Sequence, residues 1–556
     1  MTYDFVQKVG NNYYLYRCTG DWDPAKKNSK QTREYIGPCD ENGVLRESRR
    51  KRKDSKVRPV TDDAEERGRP FERDAPFRTY RFGTYDVLYR MAKESGIVGM
   101  LDKAFGEETS RFISALSIAM VADRTSMRLV EESLDETYLR EIVGASASFS
   151  SPRISERLKS IGKDEASRLE YAASAMEGTD VVIFDTTVLT TESKGVELAV
   201  PGRKSKKTGL PQVNMGFVHS MDRGFPCHMK LFEGNVNDVT TVFNLAEEIS
   251  DMCNRVVMMV MDRGFYSEKN IRKLYSEGHG FLMPVPSDRK LFKESISASV
   301  KDLSNPLNTF RFNGRTETFC DLKVKNTIKG LEDKDGNPVE SLRVLVFLNH
   351  DREKDESDTL YEDLDVIERR AKGLDYSDES IDAAFFNKSK RRSLFETHRD
   401  EDGKLLLRRK RNAITAAANR CGRLVLITSS DEQPREILSI YTGRDWVEKD
   451  YEALKDDLDG GLDYVQSDQA AIGLMFVQMI ATSIRMFISE RIRGTALGNL
   501  GVPMIIRRLN TLHIAVGKRG SRLSEVTKKH REIYEGLGLE GPAVPQPDEK
   551  TETEPS

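Results

Sequence analysis

The chain has 556 residues, room at roughly 100–200 residues per domain for about three to five domains. Hydrophobic residues make up 38%, which excludes a chain disordered throughout, and charged residues make up 32%, above the usual ~25%. The 87 lysines and arginines nearly balance the 90 aspartates and glutamates, giving a net charge of −3. Any contact with nucleic acid must therefore rest on segregated charge, and the balance argues neither for nor against one.

Cys18, Cys39, Cys227, Cys253, Cys320 and Cys421 are scattered, with no C-x-x-C pair. That spacing indicates neither a zinc site nor a disulfide framework and fits reduced thiols in a cytoplasm. The opening MTYDFVQKVG lacks the basic-then-apolar pattern of a signal peptide.

In chain order, YYLYRC and REYIG are short aromatic strands, and DENG is a turn. RESRRKRKDSKVR, residues 46–58, is a basic run that no fold can bury, so it is either a solvated linker or the seat of an acidic partner. TYDVLYRMAKESGIVGMLDKAF has apolar residues three and four apart, the mark of a helix, with Thr84 as its N-cap. SPRISERLKSI opens another helix.

The period then changes. VVIFD (181–185), VNMGFVH (213–219), CHMKLF (227–232), VVMMVMD (256–262) and FLMPVP (281–286) are compact apolar runs, the pattern of strands buried on both faces. A helix-like VTTVFNLAEEISDMC separates the third from the fourth. Together they predict an α/β core with a mixed sheet flanked by helices. Residues 287–420 interrupt it with strand-like TFRFNG, FCDLKVKN and RVLVFL, a charged helix and a second basic region. RLVLITSS (423–430) resumes the core. A long helix follows at ILSIYTGRDWVEKDYEALKDD. AAIGLMFVQMIATSIRMFI (470–488) is interrupted by Gln478, Ser483 and Arg485, which predicts a buried helix and no membrane span.

Two aspartates, Asp185 and Asp262, end buried strands, where open α/β sheets build their sites. Either alone is equally well a cap or a turn residue. Tyr441, Arg444, Glu448 and Lys455 are spaced by 3, 4 and 7, which puts them on one helical face. Spacing alone leaves an ordinary Arg444–Glu448 salt-bridge stripe open. His219 and His228 have no ligand set near them and read as core or surface histidines. Trp22 and Trp446 read as packing residues, although Trp446 lies close enough to Glu448 to stack on a base. VGKRGSR lacks the pattern of a phosphate-binding loop.

These motifs carry a resemblance. The chain resembles DDE-class insertion-sequence transposases of the IS-four group, most of all its IS-sixteen-thirty-four-like branch. Tyr441, Arg444, Glu448 and Lys455 match that group's Y-(2)-R-(3)-E-(6)-K signature. FDTTVLT and MDRGFYS match the segments around its first two acids, Asp185 and Asp262. LPQVNMGFVHSMDRGFPCHMKLFEGNVNDVTT resembles its middle block, including Gly234, Asn235, Asp238 and Thr241. The likeness covers roughly residues 80–500. One departure is PGRKSKKTGLPQ, where relatives often read glycine–tyrosine–serine–lysine–aspartate.

The resemblance implies a ribonuclease H-like core split by a β-rich insertion, with N-terminal β and helical domains. The expected layout is a β unit and basic linker over 1–75, a helical DNA-binding domain over 76–175, the core over 176–286 and 421–535, the insertion over 287–420, and a disordered tail over 536–556. It also implies a catalytic triad, Asp185, Asp262 and Glu448, that binds two Mg²⁺ ions, with Mn²⁺ able to substitute. Three adjacent carboxylates repel one another, and cations remove that conflict. Without an ion the acids are expected to stand slightly apart. Arg444, Lys455 and Tyr441 would hold phosphates, joined by Arg49, Arg50, Lys51 and Arg52 of the basic run. The implied activity is cut-and-paste transposition on terminal inverted repeats and target DNA, by a dimer on DNA in a prokaryotic cytoplasm, associated with the nucleoid. A related nuclease that cuts without joining, or an inactive DNA-binding relic, are the competing readings.

Overall fold

In a computed structural model of the chain the described residues are 2–9, 12–23, 28–45, 77–123, 129–202, 205–236, 245, 248–249, 257–372, 386, 390–457, 461–462, 465–517 and 520–544. Several expectations fall outside them: the basic run 46–58 with Arg49, Arg50, Lys51 and Arg52, most of the helix expected at VTTVFNLAEEISDMC, Asp238, Thr241, and residues 545–556 of the tail. The chain forms two compact units, Met1–Ala75 and Pro76–Ser556.

The first unit is an antiparallel meander of β1 (Thr2–Val9), β2 (Asn12–Asp23) and β3 (Asn28–Cys39). Strand alternation collects Tyr3, Phe5, Tyr16 and Tyr35 into a row of rings, with successive centroids 6.4, 5.7 and 5.5 Å apart.

The second unit opens with β4 (Phe77–Arg81), then α1 (Gly83–Glu94), α2 (Ile97–Phe105), α3 (Glu107–Asp123), α4 (Ser151–Lys163) and α5 (Glu165–Met176). Thr84 does not cap α1. Phe82 holds that position without a side-chain bond, while the Thr84 hydroxyl lies 2.8 Å from Asn510 Oδ1 and 3.2 Å from the Ile506 carbonyl. Its partners come from the far end of the chain, which local spacing does not reveal.

The core strands are β5 (Val181–Thr190), β6 (Gln212–Ser220), β7 (Phe225–Glu233), β8 (Met258–Met261) and β9 (Gly280–Pro284), joined by β10 (Thr309–Phe312), β11 (Arg315–Lys325), β12 (Ser341–Asn349) and β15 (Arg423–Thr428). These described strands form one mixed sheet in the order β10-β11-β12-β15-β9-β8-β5-β6-β7. β5, β8 and β9 run parallel, while β6 and β7 fold back antiparallel. Every residue of β6 is buried, as its unbroken apolar run predicts.

Here the structure differs from the sequence reading. β10–β12 do not stand apart within 287–420. They continue the core sheet, because β12 pairs with β15 from Arg343 to Leu348. A bare β15 edge would leave a row of backbone groups unpaired. What does stand apart in that interval is smaller: α6 (His350–Ala371), the hairpin β13 (Phe395–Arg399)–β14 (Leu405–Arg409), and α7 (Arg411–Ala418), around a separate apolar cluster with Leu360, Leu364, Phe395 and Leu407. Two arginines of the second basic region are tied to α6: Arg391 to Asp363 at 2.9 Å, and Arg409 to Asp365 and Glu368.

The apolar stretch at 470–488 lies within α8 (Asp468–Ile492). Among the described residues it is the one helix long and apolar enough to cross a membrane, and most of it is buried inside the protein. It packs on α3, α4 and β7. Of its polar interruptions, Ser483 is satisfied within the fold, its hydroxyl donating to the Met479 and Pro226 carbonyls. The chain's end then folds onto its helical start. β16 (His513–Gly517) pairs with β4 and with β17 (Gly520–Leu523), and Tyr534 donates to buried Asp86 at 2.7 Å.

α4 and α8 cross with backbones in contact. A Cβ at Gly162 would lie 1.7 Å from the Gln469 carbonyl oxygen, and one at Gly473 would lie 1.9 Å from that of Leu158. Neither backbone can move aside without parting the helices. Gly473→Ala should therefore destabilise by about 1–3 kcal/mol or more, the range for overpacking. Gly99→Ala, at an exposed position of α2 with nothing within 4 Å of its new methyl, should stabilise by roughly 0.5–1 kcal/mol. Thermal melts of both variants check this, and equal melting temperatures for the two would contradict the close crossing.

Candidate active site

Strand register brings the two aspartates together. β5 and β8 are parallel neighbours, and their last paired residues are Phe184 and Met261. The next residue on each is an aspartate, Asp185 and Asp262. The sequence reading ended the first strand at Asp185. The strand in fact continues to Thr190, because β6 pairs with it as far as Gln212. Only the β8 side of the strand ends there, so Asp185 sits where the parallel ladder stops.

The third acid arrives on a broken helix. The segment expected to be one long helix is α9 (Pro434–Thr442), a tight turn, and α10 (Asp445–Glu452), followed by a π-helical turn at Ala453–Asp457. At the break the Arg444 N–H bonds to the Tyr441 carbonyl at 3.2 Å and the Val447 N–H to the Arg444 carbonyl at 3.0 Å, three residues apart in each case. Tyr441, Arg444, Glu448 and Lys455 are thus spread over three local geometries and do not form one straight stripe.

Arg444 ties two of the acids together. Its Nη1 donates to Asp262 and its Nη2 to Glu448 at 3.1 Å. The side chains are 18% exposed for Arg444, 39% for Asp262 and 59% for Glu448, so the group is partly open to solvent. The ordinary salt bridge of the spacing argument is present, but its arginine also reaches across to a different segment. Asp185 lies deeper and accepts the Thr186 N–H at 2.8 Å. Burial pushes its carboxyl up to about 6, opposed by that N–H and by Arg444, and reinforced by the charges of Asp262 and Glu448. The three acids therefore share one electrostatic site.

Three carboxylates from three segments offer hard oxygen donors, the kind of ligand that a divalent cation such as Mg²⁺ takes. Among the described residues no group of three or more His, Cys, Asp and Glu side chains stands at metal-ligand spacing. The Arg444 guanidinium holds Asp262 and Glu448 in this arrangement, acting as their counter-cation.

The other expected residues surround this point. The Tyr441 ring lies 5.8 Å from the Arg444 guanidinium, and burial raises its hydroxyl's pKa. Lys455 donates to the Thr187 hydroxyl, two residues beyond Asp185 on β5, and lies 5.7 Å from the Tyr451 ring. Trp446 is covered by Arg493, 3.9 Å from its ring centroid, and flanked by Lys449 at 5.6 Å. His228 lies 3.4 Å from Glu248. Gly234 is required by space, since a Cβ there would fall 1.9 Å from the Gln212 carbonyl oxygen.

Sequence reasoning missed Tyr451. Its hydroxyl donates to the Asp185 carbonyl at 2.6 Å and accepts the Phe217 N–H at 3.2 Å, while its ring stacks on Phe217 at 5.2 Å. The available signal was an aromatic three residues after Glu448. A buried tyrosine at that spacing looks like any other core residue.

The family described as a transposase DDE domain matches residues 176–484, a span that includes all three acids, and the chain belongs to that family. Membership makes it a transposase, an enzyme that cleaves DNA and transfers its strands. A cryo-EM structure of the piggyBac transposase synaptic complex with hairpin DNA aligns over 81% of this chain and 79% of that one, at 11% identity and a TM-score of 0.33, a level at which two chains need not share a fold. No curated protein matches the sequence.

The position of Asp185 sets a pH dependence. Its folded pKa of about 6 lies above its ordinary value of 3.8. The stability it contributes is complete below that ordinary value and lost as pH rises through 6, where the buried carboxylate ionises. In EDTA at pH 8, Asp185→Asn should therefore be more stable than the parent by about 2–3 kcal/mol, and the gain should shrink toward pH 5. Melting curves at both pH values test this. A gain that does not change with pH would show that the burial of Asp185 is not the cause.

Proposed function

We propose that the chain is a cut-and-paste transposase of the IS-four group, of its IS-sixteen-thirty-four-like branch, acting on the terminal inverted repeats of its own element. The observation that carries this is the fork of Arg444, which bonds Asp262 and Glu448 within the family-matched span, with Asp185 near enough to feel the charges of all three. The run β7-β6-β5-β8-β9, an antiparallel meander continued by two parallel strands, supports a ribonuclease H-like core. The proposed setting is a prokaryotic cytoplasm, on nucleoid DNA, with a dimer bringing two ends together.

In this reading Asp185, Asp262 and Glu448 hold two Mg²⁺ ions, or Mn²⁺. Such ions, when bound, stabilise the attacking and leaving oxygens of an in-line displacement at phosphorus. Water is the nucleophile for nicking and a 3′-hydroxyl for joining. The chain's own part is positioning and charge. The fork of Arg444 suits two oxygens of one phosphate. Lys455 supplies a point charge beside β5. Tyr441, next to Arg444, offers a hydroxyl to the backbone.

The test uses duplexes carrying the ends of the encoding element, with nicking and strand transfer followed in Mg²⁺. Asp185→Asn and Glu448→Gln should bind those ends within a few-fold of the parent, yet nick at least about 10²-fold more slowly, the scale for loss of one transition-state charge contact. Normal nicking by either variant would remove that residue from the site. Nicking by the parent without any joined product would point instead to a nuclease.

The basic run at 46–58 is assigned to phosphate contacts on charge alone. Replacing Arg49, Arg50, Lys51 and Arg52 with alanine should flatten the slope of log affinity against log salt by up to roughly 3–4, at ~0.9 per phosphate contact. An unchanged slope would make the run a solvated linker.

A further inference from the structure

The sequence gives His219 no partner of its own type or any ligand set, yet the fold buries it against an acid on the helix of the third carboxylate. His219 Nδ1 and Asp450 Oδ2 share a hydrogen bond of 2.5 Å, and the two side chains are 1% and 0% exposed. Neither His219 Nε2 nor Asp450 Oδ1, both buried, has a hydrogen-bond partner among the described residues. A buried polar pair is expensive unless something requires it, and an apolar pair of similar volume is often as stable or more so. Stability therefore does not explain the pair.

Its position does. His219 lies on β6, opposite Ile183 of β5, two residues from Phe217, which lies opposite Asp185. Asp450 lies on α10, two residues after Glu448. Two residues along a helix is a rotation of about 200°, so the acid that faces the sheet and the acid that faces the cleft project from nearly opposite sides of one turn. Apolar neighbours on the inner side, such as Val447 and Leu454, are fully buried, but their attraction has no direction. It would let α10 roll. With side chains reaching ~5–6 Å from the helix axis, a roll of about 30° moves a carboxylate by ~3 Å. A hydrogen bond weakens steeply with misalignment and resists that roll. Tyr451 bonds the same helix to the Asp185 carbonyl at a second point. Two directional anchors on adjacent residues fix both the roll and the height of α10 over β5 and β6.

We infer that the buried His219–Asp450 bond is a positioning device that sets the rotation of α10 and so places Glu448 opposite Asp185 and Asp262. Neither residue touches DNA or the reacting atoms. This role rests on the assignment of Glu448 to the active site.

The test separates positioning from folding. His219→Phe/Asp450→Leu replaces both partners with apolar groups and leaves no orphaned polar atom. It should melt at or above the parent temperature and bind end DNA within about threefold, but nick about 10²-fold more slowly at saturating DNA, the scale expected for an ~1 Å misplacement. Asp450→Asn keeps the shape and can still bond to His219, so it should nick within about threefold of the parent. Asp450→Ser, which removes the bond without burying a charge, should melt lower, because His219 loses its partner, but show the same slow nicking with near-parent binding, and it serves if the double variant does not fold. Trp446, on the same helix with its ring 6.3 Å from that of His219, gives a readout independent of activity. In a Trp22→Phe background its emission should shift in the double and Asp450→Ser variants and stay unchanged in Asp450→Asn. Parent-like nicking by the folded double variant would overturn the inference, as would Asp450→Asn being as slow as Asp450→Ser. Glu448→Gln, run alongside, guards the premise: if it nicks normally, the fault lies with the assignment of Glu448 and not with the anchor.

Discussion

Like charges resist being brought together, and this site assembles three. Asp185, Asp262 and Glu448 come from segments separated by most of the catalytic span, and nothing in their own packing draws them to one point. Burial does most to raise the Asp185 pKa, and the charges of Asp262 and Glu448 add to the rise. Arg444 relieves part of it by bonding to the other two acids. The rest of what holds the acids in place comes from the surrounding frame.

That frame works by register and by close approach. The parallel pairing of β5 with β8 ends at Phe184 and Met261, which makes Asp185 and Asp262 neighbours as a matter of ladder geometry. On the other side of β5, β6 supplies Phe217 and His219, the seats for Tyr451 and Asp450 of the third segment. A strand flanked by an acid-bearing neighbour on one side and a helix-anchoring neighbour on the other is a compact way to make three remote segments meet.

Behind the sheet the same logic holds at larger scale. α8 is apolar on nearly every face because it is covered on nearly every face, by α3, α4 and β7. Its approach to α4 is close enough that two glycines are obligatory at the crossing. The chain's end closes the far side, with β16 pairing to β4 and Tyr534 bonded to Asp86. The helical segment before the catalytic span and the segment after it are thus parts of one body.

The sequence by itself determined a good deal. The unbroken apolar runs marked the core strands from Val181 to Pro284 because residues buried on both faces need no polar alternation. The spacing of Tyr441, Arg444, Glu448 and Lys455, joined to a family resemblance, named the residues that gather at the site. Periodicity is local, and these signals are local. Tertiary structure decided the rest. Whether β10–β12 stand apart or extend the core sheet depends on which edge they pair with, and an edge has no signature in a single strand. Thr84 looked like a cap because its true partners lie more than 400 residues away. Tyr451 looked like ordinary core. His219 and Asp450 carried no mark at all, since a histidine on a strand and an aspartate on a helix become a pair only when the helix is laid on the sheet. Sequence spacing reports which residues share a face. Which faces meet is set by packing over distances that no local pattern encodes.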